Sequence, residues 1–76
     1  MKEKVLEILA NVRPEFDFSE DVNFIEEGVL DSFDVVTLVS DLDATFGISI
    51  DGLDIVPKNF SSVDSIIKLL VKNGAK

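Results

Sequence analysis

Seventy-six residues leave room for one modest hydrophobic core, so a single domain over 1–76 is expected. Hydrophobic residues at 46% and charged residues at 29% supply enough apolar surface to fold, which argues against disorder. Fifteen Asp and Glu against seven Lys and Arg give a net charge of −8, and Cys and His are both absent. This composition excludes disulfides, thiolate and imidazole nucleophiles and the commonest metal ligands, and it disfavours phosphate backbones and anionic membranes as partners.

No catalytic residue and no metal site are therefore expected. No apolar run reaches the roughly 20 residues that span a bilayer, and the first twelve residues lack a signal-peptide hydrophobic block. The expectation is a cytoplasmic monomer with no membrane insertion and no nucleic acid partner.

Val5, Ile8, Leu9 and Val12 fall at i, i+3, i+4 and i+7, the one-sided stripe of a surface helix that Pro14 ends. The following connection, 13–30, is long for a small domain, and Phe16, Phe18, Val22, Phe24, Ile25, Val29 and Leu30 are expected to pin it. Gly28 is placed for a turn.

Asp31 is placed to N-cap a second helix over 32–46, with Asp34 as a weaker echo of a capping box. Its inward stripe is Val35, Leu38, Val39, Leu42 and Phe46, and Gly47 is the expected left-handed stop. Gly52 and Pro57 allow only one short helical turn, over 53–56. Ser61 or Ser62 can then cap a last helix with Val63, Ile66, Ile67, Leu70 and Val71 at helical spacing, Lys72 near its negative end and Gly74 beyond. The fold class predicted is all-α: a small four-helix bundle of three main helices and one short helix.

Charge is segregated along the chain. Between Pro14 and Pro57 lie 12 acidic residues and no Lys or Arg. A solvated acidic surface and a docking face for a basic partner are both consistent with that stretch. The helical wheel of the second helix places Phe33, Thr37, Ser40 and Ala44 opposite the core, with Val36 to one side and Asp34, Asp41 and Asp43 flanking. Phe33 either folds back on the long connection or stands outward as an apolar anchor ringed by charge. Ser32 occupies the first turn, where free backbone N–H groups and the positive dipole end favour a phosphate, although serines there also simply assist capping.

The stretch Gly-Val-Leu-Asp-Ser-Phe at 28–33, preceded by Phe-Ile-Glu-Glu at 24–27, resembles the phosphopantetheine attachment motif of acyl and peptidyl carrier proteins. That motif has Asp-Ser-Leu at its core, and Phe33 replaces the leucine here. The similarity extends over nearly the whole chain: an opening amphipathic helix, the long connection, a helix closing on Phe46 and Gly47, and Asn-Phe-Ser-Ser-Val at 59–63.

The resemblance implies an acyl-carrier-like bundle in which Ser32 receives 4′-phosphopantetheine from coenzyme A through a separate phosphopantetheinyl transferase and a divalent metal. Asp31 is implied to orient that metal or the transferase, besides capping the helix. An acyl or aminoacyl group would be loaded by an activating ligase and ride as a thioester on the arm. Synthase or acyltransferase clients with basic docking surfaces would read Phe33, Asp34, Val36, Thr37, Asp41 and Asp43. Thr37, Ser40 and Ala44 dilute the acidity typical of fatty-acid carriers, and the 51–60 stretch is more similar to discrete aminoacyl or D-alanyl carriers. Cargo therefore stays open between these classes, and an unmodified acidic adaptor is the alternative of a different kind. A calcium loop starting at Asp41 fails on spacing, since Phe46 falls where glycine is required and Gly52 where the bidentate Glu belongs.

Overall fold

A computed structural model describes residues 1–18 and 22–75. Three α-helices make the frame: α1 over Lys2–Val12, α2 over Ser32–Phe46 and α3 over Val63–Lys72. Two short 3₁₀ turns, Gly52–Asp54 and Pro57–Phe60, lie between α2 and α3. No strand occurs among the described residues. The all-α expectation holds, with the short fourth helix realised as two 3₁₀ turns in place of one turn over 53–56. Pro57 opens the second of them, where its missing N–H costs nothing.

Helix α1 is the hub, packing against both α2 and α3, while the second 3₁₀ turn bridges α3 and α2. Val5, Ile8 and Leu9 of α1 meet Val35, Leu38 and Leu42 of α2 and Ile66, Leu69 and Leu70 of α3 in one buried cluster, which Phe60 completes from the second 3₁₀ turn. Val12, Val39 and Phe46 lie half-buried at its edge.

The inward stripe of α3 is rotated from the one expected. Leu69 is buried and Val71 is 57% exposed. Val71 lies about 140° round from the fully buried Ile66 at 100° per residue, beyond the arc that α1 and the second 3₁₀ turn cover.

The described part of the long connection carries no helix, yet it is well tied. Phe16, Phe18 and Phe24 form an edge-to-face trio with ring centroids 5.0, 6.2 and 5.0 Å apart. Phe18, Phe24 and Leu30 are buried, and Phe16, Val22, Ile25 and Val29 pack half-buried against the cluster. The Asn23 side-chain carbonyl accepts from the N–H groups of Ile25 and Glu26, both at 3.0 Å, an Asx-type start to the turn. Gly28 then takes a φ of +72°, and the carbonyl of Phe24 accepts from Val29 and Leu30. Across the fold, the Phe24 N–H donates to the Ser61 carbonyl at 2.8 Å, which fastens the connection to the segment that opens α3. Ser62 is the residue that caps α3, accepting from the Ser65 N–H at 3.1 Å.

Candidate functional site

The site is built at the start of α2. Asp31 has extended backbone and its carboxylate accepts from the Asp34 N–H at 2.9 Å, while Asp34 reaches back to the Asp31 N–H at 3.3 Å. This is a complete reciprocal capping box, stronger than the echo expected, and Asp at the fourth position closes it although the usual residue is Glu. The helix ends on Gly47 at φ 64°, in the left-handed conformation expected there.

Arg13, at the C-terminal end of α1, clamps this box from outside. Its Nε donates to Asp34 Oδ2 at 2.9 Å, its Nη2 forms an ion pair with the same oxygen at 2.8 Å and lies 3.7 Å from Asp31 Oδ2, and its Nη1 lies 3.4 Å from Glu15. Hydrogen bonding and charge from Asp34 hold the guanidinium pKa above its ordinary value. The Asp31 carboxyl is held below the usual range, chiefly by the Asp34 backbone N–H, with the Arg13 charge adding to it against partial desolvation. Sequence reading overlooked Arg13, because its partner lies 21 residues away. The available signal was its position as the last cation before the acidic stretch.

Ser32 follows immediately as the first helical residue. It is exposed, and its hydroxyl has no hydrogen-bond partner among the described residues. The side chain is thus held at a fixed place by a capped, clamped turn while its oxygen is left to solvent. A carboxylate is a weak base for a serine hydroxyl, and the lowered pKa of Asp31 weakens it further, so the capping residue contributes negative charge to the turn without supplying a base that would ionise Ser32. An anchored hydroxyl at a positive helix end, with nothing crowding it, fits a covalently attached phosphodiester.

The outward face of α2 carries exposed Thr37, Ser40 and Ala44, and Phe33 and Val36 are 82% and 65% exposed. Phe33 therefore stands outward and does not fold back on the connection. The flanking acids divide. Asp41 is half-buried at the edge of this face. Asp34 has only 16% of its side chain exposed and is engaged by Arg13, and Asp43 is turned to accept the Ile50 N–H at 3.0 Å. Both are thus occupied inside the fold, where the wheel alone placed them as free flanking groups. Leu53, on the first 3₁₀ turn, is 87% exposed and was not foreseen as a surface residue. That turn is held by Asp54, which accepts from Lys72 Nζ at 2.7 Å and from the Asn73 side chain at 3.4 Å.

Comparison with known protein families finds one agreement that spans most of the chain: a family model described as the phosphopantetheine attachment site matches residues 3–70. No curated protein and no solved structure matches the chain.

Proposed function

The chain belongs to the phosphopantetheine attachment family, and on that premise we propose that it is a non-catalytic acyl or aminoacyl carrier whose arm is borne by Ser32. The group such domains carry is 4′-phosphopantetheine, attached covalently. The observation that carries the assignment to Ser32 is its exposed, unpartnered hydroxyl at the first position of α2, behind the Asp31–Asp34 capping box.

Modification requires the Ser32 oxygen to form a bond to phosphorus of coenzyme A while adenosine 3′,5′-bisphosphate leaves and the hydroxyl proton passes to a base. The chain has no histidine to take that proton, and Asp31 is too weak a base. A phosphopantetheinyl transferase must therefore supply the base. Asp31, held anionic and exposed, is suited to orient the transferase or the divalent metal it brings. The arm ends in a thiol, so cargo is held as a thioester, and a flexible tether raises its concentration at each client active site.

Partner recognition falls to Phe33, Val36 and Thr37 as the contact face, with Asp41 at its edge and Asp34 and Asp43 contributing field from inside. A small apolar anchor within a negative surface suits clients with basic docking surfaces. Dilution of charge by Thr37, Ser40 and Ala44 favours a specialised acyl or aminoacyl route over general fatty-acid synthesis. The chain would work as a soluble cytoplasmic monomer.

Intact mass after incubation with coenzyme A and a broad-specificity transferase tests the central claim. One pantetheinyl adduct that disappears in Ser32→Ala is expected. No adduct, or one that persists in Ser32→Ala, would point to the unmodified adaptor. Loading by activating ligases with fatty acids and amino acids in competition separates the cargo classes, and acceptance of fatty acids alone would remove the aminoacyl version.

A further inference from the structure

Ser32 stands exposed and its hydroxyl has no partner among the described residues, so only backbone fixes it, and that backbone is the first turn of α2. A first turn frays unless its free N–H groups are satisfied. Here the return half of the capping box falls to an Asp, one methylene shorter than the usual Glu, and its bond to the Asp31 N–H is long, at 3.3 Å. The oxygen that makes this bond, Asp34 Oδ2, also accepts from Arg13 Nε at 2.9 Å and lies 2.8 Å from Arg13 Nη2. Arg13 therefore sets where that oxygen sits.

We propose that Arg13 is a positioning residue for the modification of Ser32, acting through Asp34. The inference rests on Ser32 being the attachment residue. Three observations carry it further. The first is that Arg13 is itself fixed. Its N–H donates to the Leu9 carbonyl at 2.9 Å, closing α1, and Pro14 keeps its backbone out of the helical region, at φ −136° and ψ 80°. Buried Val5, Ile8 and Leu9 hold α1 against α2, so the guanidinium reaches Asp34 from a packed element. The second is charge. Two carboxylates share this turn, and Arg13 Nη2 lies 2.8 Å from one and 3.7 Å from the other. No other Lys or Arg occurs between Lys4 and Lys58. Without Arg13, mutual repulsion would drive the Asp34 side chain, now 16% exposed, out into water, and the return bond to Asp31 would go with it. The third is shape. Nε and Nη2 grip one oxygen from two points, whereas a lysine would bring a single nitrogen.

The consequence falls on the transfer step. The Ser32 oxygen must meet phosphorus as adenosine 3′,5′-bisphosphate leaves and the base of the transferase takes the proton. A displacement of about 1 Å can cost such a step about 100-fold. Arg13 makes no contact with the Ser32 hydroxyl and lies at the end of α1, whereas the exposed Phe33 and Val36 are on α2. Its loss should therefore lower kcat and spare KM.

The test is steady-state transfer from coenzyme A by a broad-specificity transferase, with the adduct assigned to its residue by mass. Arg13→Gln should lower kcat about tenfold while KM for the carrier changes by less than about twofold. Arg13→Lys should recover part of the lost kcat. Once Asp34→Ala has removed the anchor, adding Arg13→Gln should lower kcat no further. Hydrogen exchange should show the Asp34 amide less protected in Arg13→Gln, with the Leu38 and Leu42 amides unmoved. If Arg13→Gln does not fold, Asp34→Ala alone decides: its kcat should fall, and an undiminished kcat would overturn the proposal. A rise in KM alone would make Arg13 a transferase contact and overturn it too, as would equal kcat losses from Arg13→Gln with and without Asp34. These results, with the adduct on Ser32, leave the carrier reading standing. Absence of any adduct on Ser32 in the parent chain would overturn both.

Discussion

Arg13 and Asp34 are joined by a hydrogen bond of 2.9 Å and an ion-pair contact of 2.8 Å to a single carboxylate oxygen, and this pair locks the end of α1 to the first turn of α2. The contact spans the whole long connection. It makes the orientation of Ser32 depend on a residue outside its own helix.

Arg13→Gln is therefore expected to lower the thermal midpoint, and the difference from the parent chain should shrink as salt is added, because the lost pairs are partly exposed and screened. Thermal melts at low and high ionic strength measure this. An equal loss at both would mean that packing of the side-chain stem matters more than its charge.

Acid should act through Asp31 and Asp54. Both carboxyls have folded pKa values lowered, Asp31 chiefly by the Asp34 N–H and Asp54 chiefly by the Lys72 ammonium. A lowered folded value contributes stability that is present above the ordinary carboxylate pKa of about 4 and is lost as pH falls through the folded value. Asp54→Asn should thus be less stable than the parent near pH 6, and the gap should close as pH drops below about 4. Lys72, with its pKa raised chiefly by Asp54, gives the opposite limb: its contribution is lost only as pH rises above about 10. Midpoints recorded from pH 2.5 to 11 would show both limbs.

The net charge of −8, with 12 acids in one uninterrupted stretch, makes self-repulsion a standing cost. Added salt or divalent cations should raise the thermal midpoint of the parent chain. A midpoint independent of ionic strength would show that the carboxylates are already compensated within the fold.

Gly47→Ala separates backbone strain from crowding. Gly47 has φ 64°, and a Cβ there would meet nothing within 4 Å. The cost should therefore be the left-handed backbone penalty alone, about 1 kcal/mol, with Gly47→Asn costing less. Urea midpoints with unchanged slope would confirm it.

Phe33→Asp and Val36→Asp should change stability by no more than about 0.5 kcal/mol, since both side chains stand in water. Phe24→Ala, by contrast, removes a ring that is 1% exposed and should cost about 3–5 kcal/mol. If Phe33 and Val36 form the contact face, their variants should raise the apparent KM of the transferase or client with little change in kcat. Unaltered kinetics would move the contact face elsewhere.

The helices were readable because each is one-sided and because α2 and α3 carry side-chain caps, whereas α1 has none at Met1. Asp31, Gly47 and Ser62 mark ends by local chemistry, and local chemistry is what a sequence displays. The stripe of α3 was less readable, since Val63, Ile66, Ile67, Leu69, Leu70 and Val71 cover so wide an arc that only the positions of α1 and the second 3₁₀ turn decide that Leu69 goes in and Val71 out. At the site, Ser32 and Phe33 were visible from the motif and the wheel. The engagement of Asp34 and Asp43 was not, because their partners Arg13 and Ile50 come from other segments. A wheel assigns direction but knows nothing of what arrives from elsewhere in the chain.

The bond from the Phe24 N–H to the Ser61 carbonyl has a bearing on how the protein is made. During translation the residues ahead of Ser32 lack their anchor until the Ser61 segment has cleared the ribosome exit. If Ser32 bears the arm, it takes its final setting only once the Ser61 segment is free to fold back onto Phe24, which orders folding before decoration. Nascent chains arrested short of Ser61 should stay undecorated when offered transferase and coenzyme A.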